Sequence, residues 1–171
     1  DPQPDVAWAN RLGVELTDLE RLYAESDVIS LHCPLTPQTD GLINSAAISR
    51  MKRGVMLINT GRGRLIDTRA LLSGLKSGRI GAAGLDVYEE EERYFFEDFS
   101  ASGIDDDLLA RLTTFPNVLV TSHQAFFTRE AMTAIAETTA RNLRQFFAGH
   151  PPENEICHRC AKTPQPCPRL A

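Results

Sequence analysis

Nowhere in the 171 residues does an apolar run approach the roughly 18 residues of a membrane-spanning helix, so no membrane partner is expected. A basic surplus is missing too. The 18 Lys and Arg stand against 23 Asp and Glu, a formal net charge of -5, and such a balance does not favour binding to phosphate backbones, so nucleic acid is not expected as a partner. No charged-then-apolar segment opens the chain as a signal peptide would, which makes the cytoplasm the expected location. Cysteine is scarce: Cys33 stands alone in an apolar stretch, while Cys157, Cys160 and Cys167 crowd the last fifteen residues beside His158. Those three thiols have a spacing compatible with zinc. Their segment is rich in proline and has no apolar period, so residues 157–171 are expected to form a disordered tail and no metal site is expected. There is no internal repeat. Residue 1 is Asp, and the chain is expected to begin in mid-domain.

What is present is a globular composition, 42% hydrophobic and 24% charged. Apolar, β-branched runs alternate with helical stretches, the pattern of parallel strands joined by helical crossovers. Strands are predicted at 13–16, 27–32, 55–59, 81–87 and 118–122, and helices at 18–24, 44–51 and 67–77. Asp67 is placed to cap the third helix and Gly78 to stop it. A longer helix is predicted from 128 to about 147, with Ala131, Ile135, Leu143, Phe146 and Phe147 on one stripe. The acidic, aromatic stretch 89–107 lacks a period and reads as a long loop, a kind of segment that tends to be functional. The expected fold is α/β, a doubly wound parallel sheet incomplete at its N-terminal side. Ligands of such sheets sit beyond the carboxyl ends of the strands.

Those strand ends carry Cys33-Pro34, then Thr60-Gly61-Arg62, then the acidic run 86–91, then His123. In a parallel sheet they share one rim. An Arg, a carboxylate and a His together suit a 2-oxo acid. The guanidinium fork holds a carboxylate with two hydrogen bonds, the imidazole delivers a proton near neutral pH, and an acid beside the ring orients it and favours its charged form. Each residue alone also suits a plain role, Arg62 in a turn, the glutamates as solvated charges and His123 as a strand-end residue.

Jointly, the segment 57–67 (Leu-Ile-Asn-Thr-Gly-Arg-Gly-Arg-Leu-Ile-Asp), followed by 84–91 (Gly-Leu-Asp-Val-Tyr-Glu-Glu-Glu) and 121–123 (Thr-Ser-His), resembles the motifs of the D-isomer-specific 2-hydroxyacid dehydrogenases. The resemblance runs from residue 1 to about 156. It implies a Rossmann-like NAD-binding domain over 1–127, a helix and segment at 128–156 packing toward a substrate domain, and catalytic Arg62, Glu91 and His123. The family's acid lies five residues beyond the aspartate of the Asp-Val motif, here Asp86, and this selects Glu91 among its neighbours. NAD is the implied cofactor. Asp1 matches the acid that meets the adenosine ribose, Cys33 and Pro34 match contacts on the adenine side, and Thr60, Gly61, Arg62 and Asp86 match contacts near the nicotinamide. His32 reads as structural.

The run 93–98 and the pair Phe126-Phe127 after His123 resemble the fermentative bacterial D-lactate enzymes of the family, so pyruvate and D-lactate are the expected substrate pair. A related D-2-hydroxyacid dehydrogenase or 2-oxo-acid reductase (hydroxypyruvate, glyoxylate or phosphoglycerate type), one of them acting on a bulkier 2-oxo acid, and an NAD-sensing binding protein of the same fold remain as alternatives. The resemblance further implies a homo-oligomer at full length. Two features depart from the family pattern. The G-x-G-x-x-G phosphate loop and the substrate domain are absent from these 171 residues, and the text continues past 152–155, where relatives stop. The stretch by itself is therefore expected to be inactive.

Overall fold

Four strands pair in parallel in the order β1 (Val28–Leu31), β2 (Val55–Asn59), β3 (Ile80–Leu85) and β4 (Val118–Val120). The computed structural model describes residues 1, 3–94, 98, 99, 101 and 103–155. Parallel neighbours need crossovers. Here these are α3 (Ser45–Arg50) between β1 and β2, α4 (Thr68–Ser77) between β2 and β3, and α6 (Asp107–Thr113) between β3 and β4. Before the sheet come α1 (Val6–Leu12) and α2 (Leu19–Glu25), and α5 (Glu91–Tyr94) is one turn inside the stretch predicted as a loop. The chain divides into two compact units, Asp1–Ala125 and Phe126–Ala171.

In the first unit alternate strand residues face the helices. Ile29, Leu31, Val55, Leu57, Ile80 and Leu85 are buried in one cluster with Ile48, Leu71, Leu75, Leu109 and Leu112. Each such side chain removed from water contributes on the order of 1.5–3 kcal/mol before entropy is counted. Other strand residues, Val28, Met56 and Leu119, remain 57%, 40% and 64% exposed. Helix α4 begins and ends as its sequence predicts. The Asp67 side chain accepts from Arg69 N–H (2.9 Å) and Ala70 N–H (3.1 Å), and Gly78 closes the helix at φ 66°, a left-handed conformation that favours glycine.

Three expectations are corrected. Residues 13–16 form no strand: Gly13 ends α1, and Val14 and Leu16 are each 45% exposed with no ladder partner among the described residues. A strand exists only through pairing, which an apolar pattern alone does not supply. The loop predicted over 89–107 contains α5, and α6, which follows it, had no assignment although Asp106 caps it by accepting from Leu108 and Leu109 N–H. The fourth strand ends at Val120 because Ser122 (φ 52°) and His123 (φ 56°) leave the extended region.

In the second unit α7 (Arg129–Phe147) starts at Thr128, whose side chain accepts from Ala131 N–H (3.2 Å). None of its residues is buried. Among the described residues no helix is long and apolar enough to cross a membrane. The predicted tail 157–171, with its three cysteines, lies outside the described residues.

Candidate active site

The carboxyl ends of the four strands are tied to one another by short loops. After β1, the Thr39 hydroxyl donates to Pro34 C=O (2.6 Å), and the loop is tied to the next strand end by Gly41 N–H to Arg64 C=O (2.8 Å) and Ile43 N–H to Leu65 C=O (2.9 Å). After β2, Asn59 holds a tight turn. It is 1% exposed, its Oδ1 accepts from Gly61 N–H (3.1 Å), and its Nδ2 donates to Arg62 C=O (3.0 Å). An amide is used there because one side chain must both donate and accept.

The Arg62 side chain is exposed and spends one donor, Nη1, on Gly61 C=O (2.8 Å). A guanidinium has five donors, so its remaining N–H groups can serve a ligand. Arg62 lines a cleft of about 350 Å³ with Leu35, Gly63, Tyr88, Glu89, Glu90 and Glu91. Gly63 makes the approach of this turn to the acidic loop possible, since a Cβ there would lie 1.9 Å from Tyr88 C=O oxygen.

Glu91 and His123 meet: Oε1 lies 3.2 Å from Nδ1 of the ring, with side chains 13% and 34% exposed. The other oxygen, Oε2, accepts from Tyr88 N–H (3.1 Å), which holds the carboxylate on the turn. Tyr88 is anchored in turn by its hydroxyl, which donates to Asp106 (2.7 Å). Burial first, and then that contact, pushes the phenol well above its usual range.

His123 sits on a left-handed backbone held by Asp86. The Asp86 carboxylate accepts from the Thr121 hydroxyl, from Gln124 N–H (2.7 Å) and from Ala125 N–H (3.0 Å), while His123 N–H donates to Asp86 C=O. Burial by itself would raise this carboxyl. The Thr121, Ala125 and Gln124 bonds, with the charge of His123 nearby, outweigh burial and hold it below the usual carboxylate range. A carboxyl lowered by folding stabilises the fold above its unfolded value of about 3.9, and that contribution disappears as pH falls through the folded value. In the full-length protein the wild type is therefore expected to lose melting temperature more steeply below about pH 4 than Asp86→Asn. Equal acid limbs in thermal melts would count against this role.

The structure thus brings Arg62 and Glu91 to one cleft, pairs Glu91 with His123, and sets Pro34, Thr60, Gly61 and Asp86 on the same series of strand ends. Cys33 is half-buried against the core. Asp1 stays apart: its carboxylate accepts from Gln3 N–H (2.8 Å) and links to no strand-end residue among the described ones. His32 is exposed and meets Ser30 Oγ through Nε2 (2.8 Å). Phe126 and Phe127 open the second unit with their rings edge to face at 6.2 Å. Three residues whose contacts shape these strand ends were not singled out from the sequence: Asn59, Gly63 and Thr121. The first carried a signal, a lone amide closing an apolar strand.

Residues 1–125 match the family described as D-isomer specific 2-hydroxyacid dehydrogenase, NAD binding domain. The chain belongs to that family. One relative, a D-lactate dehydrogenase of Escherichia coli K12, is 53% identical over 156 residues, which cover 91% of this chain and 47% of that protein. A solved D-lactate dehydrogenase with NAD+ from Lactobacillus jensenii superposes with TM-score 0.82 at 31% identity, covering 92% of this chain and 47% of the other. A structure described as the pyruvate reductase of Chlamydomonas reinhardtii gives TM-score 0.81 at 44% identity, over 90% and 47%. The chain therefore spans about half the length of the relatives it matches.

The chain is an NAD-binding domain of this family, and its parallel strands end in loops with exposed Pro34 and Thr60 and a tight turn at Gly61, the side of such a sheet where ligands bind. No glycine-rich phosphate loop occurs in these residues.

Proposed function

We propose that the full-length protein is an NAD-dependent 2-hydroxyacid dehydrogenase of the cytoplasm that reduces pyruvate to D-lactate, reversibly, and that Arg62, Glu91 and His123 carry the reaction. The observation that supports this most is the Glu91–His123 contact of 3.2 Å beside the cleft that Arg62 lines. Arg62 holds the substrate carboxylate with its remaining N–H donors. Nδ1 of His123 is engaged by Glu91, so Nε2 is the nitrogen left to donate a proton to the carbonyl oxygen. NADH, when bound, supplies the hydride that the carbonyl carbon takes up, and hydride plus proton convert C=O to CH–OH. The ring is left neutral and recovers its proton from water. The Asp86 network keeps the imidazole in place while its charge changes.

Similarity to proteins named D-lactate dehydrogenase and pyruvate reductase supports pyruvate over other 2-oxo acids. Steady-state rates of the full-length protein with pyruvate, hydroxypyruvate and glyoxylate test the choice. Pyruvate is expected to give the highest kcat/KM and D-lactate as product. A larger kcat/KM for another acid, or L-lactate as product, would refute the proposal.

Glu91→Gln gives a directional test. Reduction needs a proton from the ring, whose Nδ1 stands 3.2 Å from the Glu91 carboxylate. Gln keeps the shape without the charge, so kcat for pyruvate reduction is expected to fall about tenfold with NADH affinity unchanged. An unchanged kcat would leave Glu91 without a role in the reaction.

A further inference from the structure

Four glutamates, 89–92, follow Tyr88, and Glu91 is the one that meets His123 among those whose side chains are described. Glu89 reaches Thr68 instead: its Oε2 accepts from the Thr68 hydroxyl (2.9 Å) and from Thr68 N–H (3.3 Å). Thr68 is 4% exposed and is the first residue of α4, just after the turn that begins at Arg62. The opening N–H groups of a helix have no partner within it. Asp67 takes those of Arg69 and Ala70, which leaves the Thr68 N–H to Glu89. A carboxylate is the favoured acceptor there, because helix N-termini carry partial positive charge.

The same peptide is gripped from a second point. A Cβ on Gly63 would lie 1.9 Å from Tyr88 C=O oxygen and 2.5 Å from Glu89 N, so the Arg62 turn already lies flush on residues 88 and 89. From that peptide the connection continues to the acid. Tyr88 N–H donates to Glu91 Oε2 (3.1 Å), and Glu91 Oε1 stands 3.2 Å from His123 Nδ1. Backbone contact alone sets how near the two loops come, whereas the Glu89–Thr68 bonds resist sliding of one along the other.

We propose that Glu89 is a positioning residue, one that by holding Thr68 locks the Tyr88–Glu91 turn onto the Arg62 turn and so sets the Glu91 carboxylate against His123. The inference rests on the function proposed above for Arg62, Glu91 and His123. It also accounts for the different duties of neighbouring glutamates: Glu89 fastens the loop and Glu91 meets the imidazole.

The test uses the full-length enzyme with Glu89→Ala, Thr68→Val and Glu89→Gln, and Glu91→Gln as control. Glu89→Ala and Thr68→Val are expected to lower kcat for pyruvate reduction about tenfold, with smaller changes in KM and none in NADH affinity. Glu89→Gln keeps an acceptor oxygen and is expected to recover most of the loss. An NMR titration of ring-labelled His123, which needs no turnover, is expected to move in Glu89→Ala toward the curve of Glu91→Gln. If Glu91→Gln shifts that curve while Glu89→Ala and Thr68→Val leave it at the wild-type position, Glu89 only caps α4 and the inference is overturned while the site reading stands. If Glu91→Gln moves neither the curve nor the rate, the site reading fails and takes this inference with it.

Discussion

Replacing His123 by Gln in the full-length protein is expected to lower kcat/KM for pyruvate reduction by about 10²- to 10⁴-fold, the range that a positioned general acid contributes. Gln occupies similar space and keeps a hydrogen-bonding end, but it delivers no proton at neutral pH. The backbone of residue 123 is held by Asp86 independently of the side chain, through the 123 N–H and the Thr121, Gln124 and Ala125 contacts. The loop should therefore keep its shape, and NADH affinity in a fluorescence titration should not change. Near-normal turnover in the variant would mean that another group supplies the proton. A large loss of NADH binding would mean that His123 holds the cofactor instead.

The second large effect is expected at Arg62. Arg62→Lys keeps the charge but loses the planar fork, so one of two carboxylate contacts disappears. A charge-assisted contact is worth about 1.5–3 kcal/mol, roughly tenfold to more than a hundredfold in kcat/KM. The turn should persist, because Asn59 holds it through the residue 61 N–H and the residue 62 C=O, backbone groups that the substitution leaves in place. The loss should therefore be confined to substrate, with NADH affinity and melting temperature unchanged. A Lys variant of near-normal efficiency would remove Arg62 from the carboxylate-binding role.

Much of this geometry could be anticipated from local text. The second strand, the helix that follows it and that helix's cap and stop residues are all local properties: β-branched periodicity, a side chain that reaches the next two or three N–H groups, and a glycine that tolerates φ 66°. The three motifs carrying Arg62, Glu91 and His123 were equally visible, since their order and spacing are written in one dimension. The strand predicted at 13–16 failed for the converse reason. Val14 and Leu16 have the right chemistry, but a ladder needs a neighbour, and the neighbour is not part of the local text.

The amino-acid sequence by itself determined the α/β class, the alternation of strand and helix, and which residue types stand at the strand ends. Tertiary structure alone decided what those residues touch. The motif spacing singled out Glu91, but not what Glu89, two positions before it, would do: Glu89 meets Thr68, 21 residues upstream, and Glu91 meets His123, 32 residues downstream. Nor does local text predict that Asp86, among the acids of that run, would be the buried one, its charge held by the N–H groups of residues 124 and 125. The physical reason is that propensities and caps act over a few residues. Whether a charged group ends in water, on a helix terminus or against an imidazole depends on which loops the parallel register brings side by side.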